Sequence, residues 1–340
     1  MNIKENAFKI LNGMSIGIVC ALVPGAIFGA LAGALGFGDI VFGLNICTSL
    51  MGLLMGLCIG LQFKLDPISS CSLAVATMIG GGAFKGVSEE GMILLKGTGD
   101  VINAAIGATL AIIIILYLKD RLKAYKLLLL PSITIISVTL VCGLTAGPVG
   151  QVSVAIGTMI ETFTNLQPLL MSILIGMSFA LIIISPISTV AIAVLINLSG
   201  NGSAAANIGI IGMSVTIAIL AYKSNGFGTA IAHFLGSPKI QMANFFKNPT
   251  MMVPSMVSAA ICAISVPFLN LVGTPMSAGF GVSGLIGPLG HLSETSFDTN
   301  NIIIVAIGFF IIPTIVSFIV AYIFRNKLKL VTDDMYKLDV

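Results

Sequence analysis

The stretch VINAAIGATLAIIIILYL (Val101–Leu118), then KDRLKAYK (Lys119–Lys126), then LLLLPSITIISVTLVCGLTAG (Leu127–Gly147) decides the fold class. Two apolar runs, each about as long as the roughly 20 residues a helix needs to cross a bilayer, flank one dense basic cluster. Lys and Arg gather at the cytoplasmic ends of membrane spans, so this pattern predicts a helical hairpin whose turn lies inside the cell. The same alternation runs through the whole chain. Charged residues make up 9% of its 340 residues and hydrophobic residues 57%, with mean hydropathy +1.10, whereas a soluble domain carries about a quarter charged residues.

Working outward, apolar spans are expected near residues 15–36, 40–63, 68–86, 101–118 and 127–147, and again near 168–186, 187–198, 204–222, 250–272 and 302–324. The expected fold is therefore an all-α polytopic membrane protein of about ten transmembrane helices. Residues 1–13 are expected as an N-terminal interfacial segment and 14–147 as a first transmembrane repeat. Residues 148–167 are expected as an amphipathic connector, 168–324 as a second repeat and 325–340 as a cytoplasmic tail. Placing KDRLKAYK and the RNKLK of Arg325–Lys329 inside puts both termini in the cytoplasm. Of the 16 Lys and Arg, all but Lys85 and Lys96 then fall on that side. Five spans that begin inside and five that begin outside meet the condition for a 5+5 inverted repeat.

Four segments break the apolar rhythm with glycine and polar residues: Gly80–Asp100, Leu198–Asn207, Ser224–Pro249 and Gly273–Ser296. Irregular backbone at membrane depth survives only where protein or a water-filled cavity satisfies its amides and carbonyls, so these breaks are expected as re-entrant Gly-rich hairpins around a polar ligand. Close helix packing is the competing use of glycine. Asn45, Asn103, Asn197, Asn201 and Asn207 bring side chains that both donate and accept hydrogen bonds, as a hydroxyl-rich ligand requires; interhelical bonding is their other use. Thr229, His233, Gln241 and Asn244 in the third of these breaks, and Ser283, His291 and Glu294 in the last, complete the candidate substrate-binding set. Lys85, Glu89, Glu90, Lys96 and Asp100 in the first are candidates for ion coupling or gating, since ionisable groups at membrane depth are functional by default.

The chain shows no nucleophile triad, HExxH, P-loop or dinucleotide fingerprint, so it does not read as an enzyme. No metal or cofactor is expected: the six cysteines lie singly in apolar runs and pack as small core residues. A net charge of +3, spread as the orientation rule demands, excludes nucleic acid as a partner.

The second half resembles a known family. Its GxG turn (Gly200–Gly202), LGxxxxQMxN stretch (Leu235–Asn244), NPxxxxP step (Asn248–Pro254) and GxGxSGLxG hairpin (Gly279–Gly287) are similar to the sugar-specific IIC permeases of the bacterial phosphotransferase system. The likeness extends loosely over the first half. It implies a homodimeric permease in the cytoplasmic membrane that moves a small polar, sugar-like substrate by an elevator-like movement of one domain against a dimerising scaffold. Phosphorylation would come from separate IIB and IIA proteins. His291 and Glu294, in GHLSET, are the nearest match to the His and Glu that hold the sugar in such proteins. The alternatives are an H⁺- or Na⁺-coupled secondary transporter of a small organic solute or anion on the same fold, and a non-transporting membrane regulator.

Overall fold

The structure, a computed structural model, describes residues 3–338 other than Glu90 and Lys96. It divides into two compact units: residues 1–25 with 31–152, and residues 153–339 with 26–30.

α1 (Ile3–Ala34), which lies in the first unit except for residues 26–30, is one continuous helix through the expected interfacial segment and most of the expected first span. α2 (Gly38–Ser49) and α3 (Met51–Gln62) lie where the second span is expected, as a pair of helices bent by 57°. The bend has a local cause. Thr48 Oγ1 donates to the Leu44 carbonyl at 3.2 Å and Ser49 Oγ to the Asn45 carbonyl at 2.9 Å, and such back-bonding competes with the helix's own ladder just before the break at Leu50. α4 (Pro67–Gly80) starts at a cap: the Asp66 carboxylate accepts from the Ser69 amide, and Pro67 sits where its missing N–H costs nothing. α5 (Val101–Leu118) has the bounds expected from sequence, opened by Asp100 accepting from the Asn103 amide at 2.8 Å.

The first Gly-rich break holds a two-stranded antiparallel β-hairpin, β1 (Phe84–Val87) on β2 (Ile93–Leu95), closed by the Gly91 amide donating to the Ser88 carbonyl at 2.9 Å. Val87, Ile93, Leu94 and Leu95 are exposed on it. A two-stranded sheet has unpaired edges, which hydrocarbon cannot satisfy. The expected re-entrant segment is therefore replaced here by a β-hairpin.

α6 (Lys126–Phe163) runs unbroken through Pro131 and Pro148. Pro148, the expected start of a separate connector, lies inside it, and the boundary between the units falls within the same helix. Neighbouring groups re-satisfy the backbone that a proline frees in membrane helices, so proline there does not end the helix.

The second unit is built on α9 (Gly200–Ile231), which packs against α7 (Pro168–Ile183), α11 (Met252–Ala263) and α15 (Ile312–Tyr322). Of α9's apolar window, 94% is buried, which is why its sequence is apolar on every face. Small residues set the spacing: a Cβ on Gly209 would stand 2.1 Å from the Gly176 carbonyl oxygen of α7. Ser317 of α15 adds a hydrogen bond to the Gly212 carbonyl at 3.0 Å and another to Ser258 of α11 at 3.1 Å. α8 (Thr189–Leu195) spans seven residues, too short to cross a bilayer. The short helices α10 (Met242–Lys247), α12 (Ser265–Phe268), α13 (Ile286–Glu294) and α14 (Thr299–Val305) complete the unit.

By length and composition, six helices among the described residues suffice to cross a membrane, or seven if the bent α2–α3 pair is one span. α4 and α7 are shorter apolar helices. The all-α polytopic class stands on these.

Candidate functional site

Two of the breaks fold against each other at the start of α9. Gly200 and Gly273 exchange backbone hydrogen bonds, N–H to carbonyl in both directions, at 2.8 and 3.1 Å. Along the next turns of α9, Asn201 Nδ2 donates to the Leu271 carbonyl at 2.8 Å, Ser203 Oγ to that of Thr274 at 2.8 Å and Asn207 Nδ2 to that of Ser277 at 3.0 Å. The Asn207 Oδ1 accepts from the Phe280 and Gly281 amides at 3.1 and 2.9 Å. From α8, Thr189 Oγ1 donates to the Gly279 carbonyl at 2.8 Å. The loop needs these anchors because it turns through left-handed backbone at Gly279, Gly281, Gly284 and Leu285, leaving polar groups that no regular ladder pairs. Asn201 and Asn207 therefore brace the loop.

Of the candidate site residues, the two histidines are those with a buried side-chain atom left without a partner. Among the described residues, Thr134 Oγ1, Ser172 Oγ, Arg325 Nε and Tyr336 OH share that state away from the candidate set. His233, in a π turn (Ala232–Gly236) that ends α9, is 0% exposed and its Nδ1 lies 2.6 Å from the Thr229 carbonyl. A carbonyl only accepts, so Nδ1 carries the proton and the neutral ring presents Nε2 as an acceptor. His291, on α13, is 1% exposed, and its Nδ1 accepts from the Val272 amide at 3.1 Å. Here the neutral ring carries its proton on Nε2, a donor. Among the described residues neither Nε2 has a hydrogen-bond partner. The two elements are linked, since the π turn packs on the turn Ser283–Leu285 from which α13 starts. Buried polar atoms without partners are uncommon and each asks for a ligand or a water.

The remaining candidates divide by what they touch. Gln241 is buried, with Nε2 donating to the Tyr336 carbonyl at 2.8 Å; Asn244 Nδ2 donates to Gln241 Oε1 at 2.7 Å and to the Lys337 carbonyl at 2.8 Å. Both grip the chain's own C-terminal segment. Thr229 Oγ1 bonds back to the Asn225 carbonyl at 3.2 Å, and Ser283 lies partly buried at the loop's turn. Asn103 joins three helices of the first unit: Nδ2 donates to the Gly80 and Cys142 carbonyls at 2.7 and 3.1 Å, and Oδ1 accepts from Thr145 at 2.6 Å. Asn45, Asn197 and Glu294 are exposed, Asn197 in left-handed backbone after α8. Of the coupling candidates, Asp100 caps α5 and Glu89 is exposed at the hairpin tip. Lys85 lies in β1, its side chain outside what is described, and Glu90 and Lys96 lie outside the described residues altogether.

Sequence reading missed Lys239. Flanked by Pro238 and Ile240, it is buried, and its ammonium donates to the Ile187 carbonyl at 2.9 Å and to that of Ser185, tying the turn Pro238–Gln241 to the break between α7 and α8. A lysine between apolar neighbours was the signal available.

A family model described as Phosphotransferase system, EIIC matches residues 8–338. The chain belongs to this family. The EIIC assignment makes it a multi-pass sugar permease component of the phosphotransferase system, residing in the cell membrane. No curated protein and no solved structure matches this EIIC chain. The match covers both units, so the β-hairpin of the first and the braced loop of the second lie within the EIIC region.

Proposed function

We propose that this chain carries a small hydroxyl-rich sugar across the cytoplasmic membrane and that His233 and His291 bind it directly. The observation that carries the reading is their pair of opposite tautomers, one buried acceptor and one buried donor without partners. A sugar hydroxyl both donates and accepts, and matches that pair. Thr229, one turn before His233 at the end of α9, and Ser283, on the turn from which α13 starts, line the approach. The charged first break serves gating. The carrier is a homodimer with both termini in the cytoplasm and moves its substrate by an elevator-like displacement. Separate IIA and IIB proteins phosphorylate the sugar as it enters; the family match supports that partnership.

Right-side-out vesicles test the reading. Uptake of labelled sugars should require phosphoenolpyruvate with the general phosphocarriers and yield the phosphate ester, and uptake in their absence, driven by H⁺ or Na⁺, refutes group translocation. His233→Ala and His291→Ala should each lower the affinity for the transported sugar by about tenfold or more, the loss expected when a buried hydrogen-bonding group is left unpaired. Wild-type affinity in both variants removes the histidines from the site.

A further inference from the structure

The carbonyl of Tyr336 accepts two hydrogen bonds, from Asn225 Nδ2 and from Gln241 Nε2, both at 2.8 Å. Asn225 and Gln241 stand at equal chain distance on either side of His233. One carbonyl oxygen thus closes the segment that carries the candidate binding group into a loop. Its neighbours reinforce the closure: the Leu338 amide donates to Asn225 Oδ1 at 2.8 Å, and Ser224 Oγ donates to the Asp333 carbonyl at 2.6 Å. The Asp333 carboxylate is bracketed by Arg325 at 3.2 Å and Lys223 at 3.7 Å. Tyr336 itself is fully buried in the core of the second unit.

The loop has a break in its helical backbone near each fastening. Gly226, next to Asn225, has φ 82 and ψ −179, a conformation essentially confined to glycine. Ser237, before the turn that carries Gln241, is extended. Such positions absorb large backbone rotations and serve as hinges. Within the loop, His233 Nε2 is completely enclosed, so no solute reaches it while the loop stays closed.

We infer that residues 331–338 are a latch: they hold the 225–241 loop shut over His233, and the loop opens to substrate only when the latch releases. The inference rests on the reading of His233 as a binding group, whose regulation it supplies. The grip is on backbone carbonyls and one amide, so it depends on the segment lying extended across the loop. The ion pairs at Asp333 make it weaken with ionic strength.

The chain's two histidines make a direct test. Diethyl pyrocarbonate acylates an imidazole nitrogen that holds a free lone pair, and modification at each histidine is read by mass spectrometry on the purified full-length protein in nanodiscs. Asn225→Ala, which removes two latch bonds, and Asp333→Asn, which removes the ion pairs, should each raise the His233 modification rate by about tenfold or more, the range of a local opening equilibrium released from its fastenings. His291, outside the latched loop, should stay within about twofold as the internal reference. Deleting residues 331–340 should produce the larger effect where that variant folds. A rise at both histidines together means general loosening and overturns the latch, as does an unchanged His233 rate in Asn225→Ala and Asp333→Asn. No sugar is present in the labelling, so a failed uptake assay leaves this result standing and identifies the transport reading as the part at fault.

Discussion

Asn207→Ala separates bracing from substrate binding. The side chain is 1% exposed and makes three hydrogen bonds, all to backbone of the 277–281 loop. Removing it leaves the Ser277 carbonyl and the Phe280 and Gly281 amides without their partner in a site where water does not readily enter. Bonds between membrane helices average about 0.6 kcal/mol each by double-mutant cycles, and an abandoned buried group costs about 1–3 kcal/mol. Three such groups, partly re-solvated as the loop relaxes, place the loss at about 2–4 kcal/mol. Reversible unfolding in mixed detergent micelles measures it, and amide exchange should show protection lost over residues 277–283 while α11 and α15 keep theirs. Asn207→Asp is the paired control: it keeps the acceptor for both amides, sets a carboxylate against the Ser277 carbonyl, and should lose protection chiefly at that end. A stability change below about 0.5 kcal/mol with loop protection intact would refute the bracing role.

Other perturbations follow from the same contacts. Gly209→Ala drives a methyl to 2.1 Å from the Gly176 carbonyl and should cost about 3 kcal/mol or more, because two backbones must separate. Gly143→Ala, where an added Cβ meets nothing within 4 Å, should leave the thermal midpoint unchanged, and equal effects of the two would remove the close α7–α9 approach. Burial raises the Asp66 carboxyl, but the Lys126 ammonium at 2.6 Å and the Ser69 hydroxyl and amide outweigh it and hold the group down to about 2. The stabilisation this supplies is fully present above the ordinary carboxylate value of about 4 and disappears as pH falls toward about 2. With partners 24% and 38% exposed and partly screened by solvent, about 1 kcal/mol is expected. Asp66→Asn should flatten the pH dependence of unfolding in that window, and an unaltered profile would assign it elsewhere.

Much of the fold was legible because lipid demands long apolar runs. Val101–Leu118 emerged with the expected bounds, and in the second half irregular backbone falls inside the expected breaks at Leu198–Ser199, Gly226 and Gly273–Val282, while Gly200–Asn207 and much of 224–249 are helical. Local patterns failed where the deciding contact is distant or the segment short. Phe84–Val87 and Ile93–Leu95 are too brief to show a strand period, and most of the connector expected over 148–167 is the continuation of α6. The polar residues were found and their partners were not. Asn207 and Gln241 bond to backbone some 70 to 95 residues away, a relation no spacing rule contains, so both were taken for ligands of a solute. Only the tautomers of His233 and His291, fixed by a carbonyl and an amide elsewhere in the chain, separate groups with free capacity from groups already engaged.

The bracing of α9 also sets the order in which the chain can be built. Asn201, Ser203 and Asn207 reach partners 70 or 71 residues further along the chain, so during synthesis α9 enters the bilayer well before the backbone that satisfies it exists. Until Gly281 has emerged from the ribosome, those side chains face lipid, water or the insertion machinery. The unit therefore assembles as insertion followed by late docking, with Gly200 and Gly273 closing the joint. A nascent chain arrested between these two halves is the species that holdases and membrane proteases would recognise.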